Sequence, residues 1–130
     1  MVVSGGRKCT ERKKCKAEFW KYLKQCGKAR GAKDRSECLV IIGDARGVDA
    51  FIWELCKDKH IPYIRLEANW TKFGKRAGIL RNQEMLEQDF APTNAFFYFD
   101  GSSPGTTDMR ARISKLGTPN LTVYYGDFFD

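Results

Sequence analysis

Cys38-Leu39-Val40-Ile41-Ile42 is an unbroken apolar run that stops at Gly43. No polar residue alternates with its apolar ones, so both faces of this strand must be covered. That requirement excludes an open antiparallel sheet with one wet face and points to a parallel sheet between helices. The rest of the chain supplies the parts. Val2-Val3 is a short β-branched start, Pro62–Leu66 and Asn94–Phe99 read as further strands, and Leu121–Tyr125 as the last.

Between the strands lie helical stretches. One starts near Thr10 and ends about Gly27, with Cys15, Phe19, Leu23 and Cys26 as an apolar stripe and Gly27 and Gly31 as stops. Gly47–Lys59 carries Val48, Phe51, Ile52, Leu55 and Cys56 on one side, and a long loop through Trp70 and Gly74 precedes a helix over Ala77–Gln88. A last helix, Thr106–Leu116, turns Met109, Ile113 and Leu116 inward. The order βαβαβαβαβ predicts an α/β, Rossmann-like three-layer domain spanning residues 1–130, with a sheet of about five parallel strands, helices on both faces and right-handed crossovers.

Charge is unevenly spread. Residues 1–40 hold 12 Lys+Arg against 4 Asp+Glu, whereas residues 41–130 hold 11 against 12. Much of the excess lies on the outer faces of the first helix, at Lys13, Lys14, Lys16, Lys21, Lys24 and Lys28. Such a basic third suggests an anionic partner without naming one. No apolar run approaches a membrane span and the start does not resemble a signal peptide, so a cytoplasmic setting is expected. The five cysteines (Cys9, Cys15, Cys26, Cys38, Cys56) have no C-x-x-C spacing and His60 is the single histidine, so reduced thiols and no metal site or cofactor are expected. Cys9, beside a glycine loop and lysines, is the thiol whose pKa such neighbours would lower.

In an open parallel sheet, ligands bind beyond the carboxyl ends of the strands. Three small-residue loops fall there, each before a helix: Ser4-Gly5-Gly6-Arg7, Gly43-Asp44-Ala45-Arg46-Gly47, and Gly101-Ser102-Ser103-Pro104-Gly105-Thr106-Thr107. Glycine lets the backbone approach a ligand closely, and the helix N-terminus offers unpaired N–H groups with partial positive charge. Thr106 and Thr107 add hydroxyls; Arg7 and Arg46 add forked charge. Neither a P-loop nor a dinucleotide fingerprint is present. The polar stretch from Asn69 to Met85 adds Trp70 to stack on a base, Lys75 and Arg81 to hold a phosphate, Gly78 for close approach, and Asn82 for a base or ribose. Asp49, in a first helical turn, is placed to hydrogen-bond a ribose hydroxyl. Each has an ordinary alternative: Trp70 as packing, Lys75 and Arg81 as a solvated face, Asp49 as a helix N-terminal charge.

These residues resemble a known group. Gly43-Asp44-Ala45-Arg46-Gly47-Val48-Asp49-Ala50 is similar to the G-x-A-R-G-A-D-x segment of the YspA-type branch of the SLOG superfamily. Asn69-Trp70, Gly74, Ala77-Gly78, Arg81-Asn82 and Met85 resemble that branch's "DW…G..AG..RN..M" segment, and Gly105-Thr106-Thr107-Asp108-Met109 its G-T-x-D-M segment. The start, Val3-Ser4-Gly5-Gly6-Arg7, is similar to its first strand and loop. The resemblance implies a Rossmann-like sheet that binds a nucleotide or nucleotide-derived ligand at the strand ends, and self-association as a homodimer or larger homo-oligomer. The aromatic tail from Tyr124 to Phe129 fits such an interface.

The same superfamily contains phosphoribohydrolases of the lysine-decarboxylase-like (LOG) group with a P-G-G-x-G-T-x-x-E motif. Here Ser102 and Ser103 replace its paired glycines, Gly105-Thr106 fit its G-T, and Met109 stands at its glutamate. The expected function is therefore binding of an ADP-ribose-like, cyclic-nucleotide or NAD-derived signal, by a sensor or a sequestering protein such as a phage would deploy against host nucleotide-signal immunity. Alternatives are a nucleotide N-glycosidase or hydrolase, with Asp44, Asp49 and Asp108 as candidate catalytic carboxylates, and DprA-like nucleic-acid binding through the basic first helix.

Overall fold

The computed structural model describes residues 1–87 and 92–126, with the side chain of Lys75 outside the description. Five strands form one all-parallel sheet: β1 (Val2–Gly5), β2 (Val40–Ile42), β3 (Tyr63–Arg65), β4 (Ala95–Phe99) and β5 (Asn120–Tyr124). Their order is β3-β2-β1-β4-β5. The helices are α1 (Arg12–Ala29), α2 (Val48–Lys59), α3 (Trp70–Phe73), α4 (Ala77–Glu87) and α5 (Pro104–Leu116). The expected α/β, Rossmann-like architecture is the one observed. The strands wind outward from β1 in two directions, through β2 to one edge and then through β4 to the other. The crevice between β1 and β4 is the switch point at which such sheets take ligands.

The two-residue period of each strand sorts the core into two layers. Val3, Val40, Ile42, Phe96 and Tyr98 point to the side where α1 and α2 lay down Phe19, Leu23 and Ile52. Val2, Ile41, Ala95 and Phe97 point to the other side, against Met85 of α4 and Met109 and Ile113 of α5. Phe19 meets Phe96 edge to face, with ring centroids 5.4 Å apart. Truncating such a ring costs about 3–5 kcal/mol, because the cavity cannot close. Leu116, expected on the inner face of its helix, is 57% exposed at the last turn of α5.

Several boundaries differ from the sequence reading. α1 runs through Gly27 to Ala29; Gly27 is no stop but a close-packing site, where a Cβ would lie 3.2 Å from Cys38 Sγ. The chain leaves the helix at Arg30 and then Gly31, whose φ of 78° is left-handed. The loop expected at Trp70 contains the short helix α3, capped by Asn69 Oδ1, which accepts from the Lys72 N–H at 3.0 Å. α5 begins two residues early, because Pro104 suits the first helical position, where no N–H is needed.

All five cysteines are buried and unpaired with one another. Cys9 does not fit the expectation of a lowered pKa: burial pushes its thiol up, and no lysine offsets the lost solvation. Among the described residues, no group of His, Cys, Asp or Glu is arranged to hold a metal, and no helix is long and apolar enough to cross a membrane.

Candidate functional site

A cleft of about 430 Å³ opens at the switch point between β1 and β4. Its floor is Ser4, Gly5 and Thr106, where the Ser4 and Thr106 hydroxyls hydrogen-bond at 3.2 Å and tie β1 to α5. One wall is the loop after β1, with Gly6, Arg7 and Lys8. Gly6 is held on three counts: its N–H donates to Tyr98 O, and its carbonyl accepts from the N–H groups of Cys9 and Val48. A Cβ at Gly6 would strike the Tyr125 hydroxyl, so this position must be glycine for packing as well as for any ligand.

The opposite wall is the loop after β4 and the start of α5. Asp100 Oδ1 accepts from Ser102 N (2.9 Å), Ser103 N (3.1 Å) and Ser102 Oγ (3.2 Å). These donors hold its carboxyl below the usual range. The turn is preformed, and it aims the first turn of α5, with the free N–H groups of a helix N-terminus, at the cleft. Ser102, Ser103, Pro104 and Gly105 line it there.

Beneath the second loop lies a buried charge cluster. Arg81, from α4, donates from Nη1 to Asp44 Oδ1. Asp49, from the first turn of α2, is 5% exposed and accepts from the Ala45 N–H at 3.2 Å. A Cβ at Gly43 would lie 2.8 Å from Asp49 Oδ2 and 2.9 Å from Arg81 Cζ, so the missing side chain makes room for both. Burial pushes the Asp49 carboxyl up to about 6, against the pull of the Arg81 guanidinium. Arg81 Nε is buried with no hydrogen-bond partner. Both Asp49 and Arg81 line the cleft, so its base carries a cation with one donor unspent beside a carboxyl poised near neutrality.

The structure brings together Gly5, Gly6, Arg7, Ala45, Asp49, Trp70, Gly78, Arg81, Ser102, Ser103, Gly105, Thr106 and Asp108 around this cleft. Others have different work. Gly43 and Gly47 serve packing, and Gly47, at φ 73°, lies so close to the backbone of Gly6 and Arg7 that a Cβ would come within 2.8 Å of Arg7 O. Arg46 is exposed and does not line the cleft, and Asp44 is engaged by Arg81 behind it. Asn82 does not face a ligand: its Nδ2 donates to Gly105 O and Asp108 Oδ2, both at 3.0 Å, bracing the first turn of α5. Thr107 spends its hydroxyl on Ser103 O at 2.9 Å. The Lys75 side chain lies outside the described residues.

Trp70 is exposed at the mouth of the cleft, not packed on the sheet, and the Arg7 guanidinium sits 5.6 Å from its ring centroid. Sequence reasoning missed Lys8, Ile79 and Asp100 as lining residues, whereas Ser4 and Pro104 lie in two of the loops it singled out. Asp100 was findable, since Asp-Gly-Ser-Ser after an apolar strand is the signature of a side-chain-closed turn. A larger open groove of about 700 Å³ runs between α4 and α5, but the strand-end loops do not line it.

Fold and cleft together define a Rossmann-like α/β domain with a ligand-sized crevice at its switch point. Comparison with family models, with curated proteins and with solved structures returned no match.

Proposed function

We propose that this protein binds a nucleotide-derived small molecule, ADP-ribose-like, cyclic or NAD-derived, in the cleft between β1 and β4, as a sensor or a sequestering protein. The observation that carries this reading is the division of labour inside the cleft. Arg7, Lys8 and the N-terminus of α5 offer positive charge and N–H donors to phosphate. Asp49 and Asp108 offer carboxylate acceptors to sugar hydroxyls, and Trp70 offers a ring face at the mouth. Among the described residues three cations and three carboxylates line the cleft, so it is no indiscriminate anion funnel; it suits a ligand that has both phosphate and hydroxyl donors.

The test is calorimetry against ADP-ribose, cyclic ADP-ribose isomers, cyclic oligonucleotides and AMP. At least one should bind with Kd below ~100 μM, about −5.5 kcal/mol. Binding of none at that level refutes the proposal.

A second reading, a nucleotide N-glycosidase or hydrolase, is favoured by Asp49, whose near-neutral carboxyl in a cleft has the character of a general acid or base. Against it, the position of the LOG-type glutamate is Met109, which is fully buried under the sheet. Mass spectrometry of the ligand after incubation separates the two: an intact ligand supports the binder, and cleavage abolished by Asp49→Asn with binding retained supports the enzyme.

Two residues of the aromatic tail pack within the chain. Tyr125 stacks on Tyr98 within the chain, with centroids 4.8 Å apart, and Tyr124 packs against Phe99. Asp127, Phe128 and Phe129 lie outside the described residues.

A further inference from the structure

The cleft leaves most of the basic charge unused. Residues 12–35 carry ten Lys+Arg against two Asp+Glu. Within the described residues, the ion pairs formed by these cations are those of Arg12 and Lys16 with Glu54 of α2. Lys14, Lys21, Lys24 and Lys28 are all exposed and spaced by seven, three and four, so they stand on one ridge of α1, opposite the buried stripe of Cys15, Phe19, Leu23 and Cys26. At 1.5 Å per residue the ridge is about 21 Å long.

The ridge ends in a groove of about 290 Å³. Trp20, Lys24 and Lys28 form one side, and Lys33 and Arg35 the rim. The ring of Trp20 lies 5.2 Å from Lys24 Nζ and 4.8 Å from Lys59 Nζ. The two carboxylates nearby are engaged by the backbone, Asp34 with the Ser36 N–H and Glu37 with the Lys33 N–H. Because the groove borders the segment that leads into β2, it lies at the amino end of the sheet, the pole opposite the cleft.

We propose that this ridge and groove form a second binding surface, for single-stranded nucleic acid. A row of four lysines with one acid, Glu18, beside it carries a net positive charge that tracks a phosphate backbone, and a partly exposed tryptophan among them gives a base a stacking face, the two components such sites combine. A membrane surface fits worse, because among the described residues the exposed large apolar side chains (Leu39, Tyr63, Trp70, Phe73, Ile79 and Leu116) all lie off α1. An acidic protein segment would meet the charge but has no use for the tryptophan.

The experiment is fluorescence anisotropy of a labelled 20-nucleotide single strand with the full chain, from 50 to 200 mM salt. Four phosphate contacts, one for each ridge lysine, give a slope of log K against log salt of about −2.8, a loss of about 50-fold over that range. Lys14→Glu/Lys21→Glu/Lys28→Glu should reduce the slope by about 2 and the affinity at 50 mM salt by more than tenfold. Its melting temperature is measured alongside, and the corresponding triple Gln variant should fall between it and the wild type. Trp70→Ala, at the mouth of the cleft and exposed, should leave oligonucleotide binding unchanged, so failure of the cleft reading and failure of this one are distinguishable. The proposal is overturned by no binding at 50 mM salt, by triple variants that bind like the wild type, or by loss of binding in Trp70→Ala. It is overturned equally if polyglutamate competes as well as unlabelled strand, or if a duplex of equal length binds as tightly.

Discussion

Replacing Gly47 with alanine should do more damage than any other glycine-to-alanine change in the strand-end loops before α1 and α2, and the magnitude can be assembled from two separable terms. Gly47 has φ 73° and ψ −124°, a region that is nearly closed to residues with a Cβ. Holding alanine there costs about 1–3 kcal/mol. The new Cβ would also press on the carbonyl oxygens of Gly6 and Arg7, which are backbone and cannot swing aside. Forced overpacking of this kind costs a further 1–3 kcal/mol or so. The sum is about 4 kcal/mol, which for a chain of this length lowers Tm by about 12–20 °C.

Two other positions isolate the terms. Gly31 has φ 78° with nothing within 4 Å of a Cβ, so Gly31→Ala carries backbone strain alone. Gly5 has no left-handed φ, but its Cβ would lie 2.6 Å from Val48, so Gly5→Ala carries the steric term alone. Thermal melts followed by circular dichroism should place Gly47→Ala below both. If Gly47→Ala melts no lower than Gly31→Ala, the contact between the first two loops does not have the rigidity assigned to it.

Three further outcomes are expected. The Asp49 carboxyl, followed by carbon NMR, should titrate near pH 6; because burial raises its folded pKa above the unfolded value of about 4, it should cost stability above pH 6 and release that cost as pH falls towards 4. A wild-type melting temperature that shows no such relief relative to Asp49→Asn would contradict the burial argument. Arg81→Lys removes the guanidinium that donates to Asp44 and attracts the Asp49 carboxylate, and should lower stability by about 2–4 kcal/mol in chemical denaturation, with a rise in the Asp49 midpoint as the nearest cation recedes. Trp70→Ala, at an exposed position, should shift Tm by less than about 3 °C, yet weaken any base-containing ligand by about 1–3 kcal/mol, in the range measured for base stacking on aromatics; equal affinity of wild type and variant would remove Trp70 from the site.

The sheet and its helices were legible because their signals are long. Val40-Ile41-Ile42 has no polar face to expose, and Phe19 and Leu23 repeat at helical spacing, so burial on both sides follows from the residues themselves. The site was legible only as far as its loops. A glycine after a strand reads the same whether it opens space for a ligand or for another part of the protein, and Gly43 and Gly47 do the second. Their neighbours in space, Arg81 and the Gly6 carbonyl, are 38 and 41 positions away in sequence, beyond the reach of any local pattern. Asn82 and Thr107 failed for a related cause: a polar side chain near a helix N-terminus is as useful for bracing that helix as for meeting a ligand, and both brace α5.

The clasp between the first two loops also bears on how such a chain can change over time. Gly6, Arg7, Gly47 and Val48 hold one another through backbone atoms, so a substitution in either loop disturbs both at once. The third loop is set mainly by one side chain, Asp100, and Trp70 and Ile79 stand exposed at the mouth. If the cleft binds the ligand proposed above, new preferences are most readily acquired along residues 70–79 and 101–108. Half of the cleft is a fixed anvil, and variation can work only on the other half.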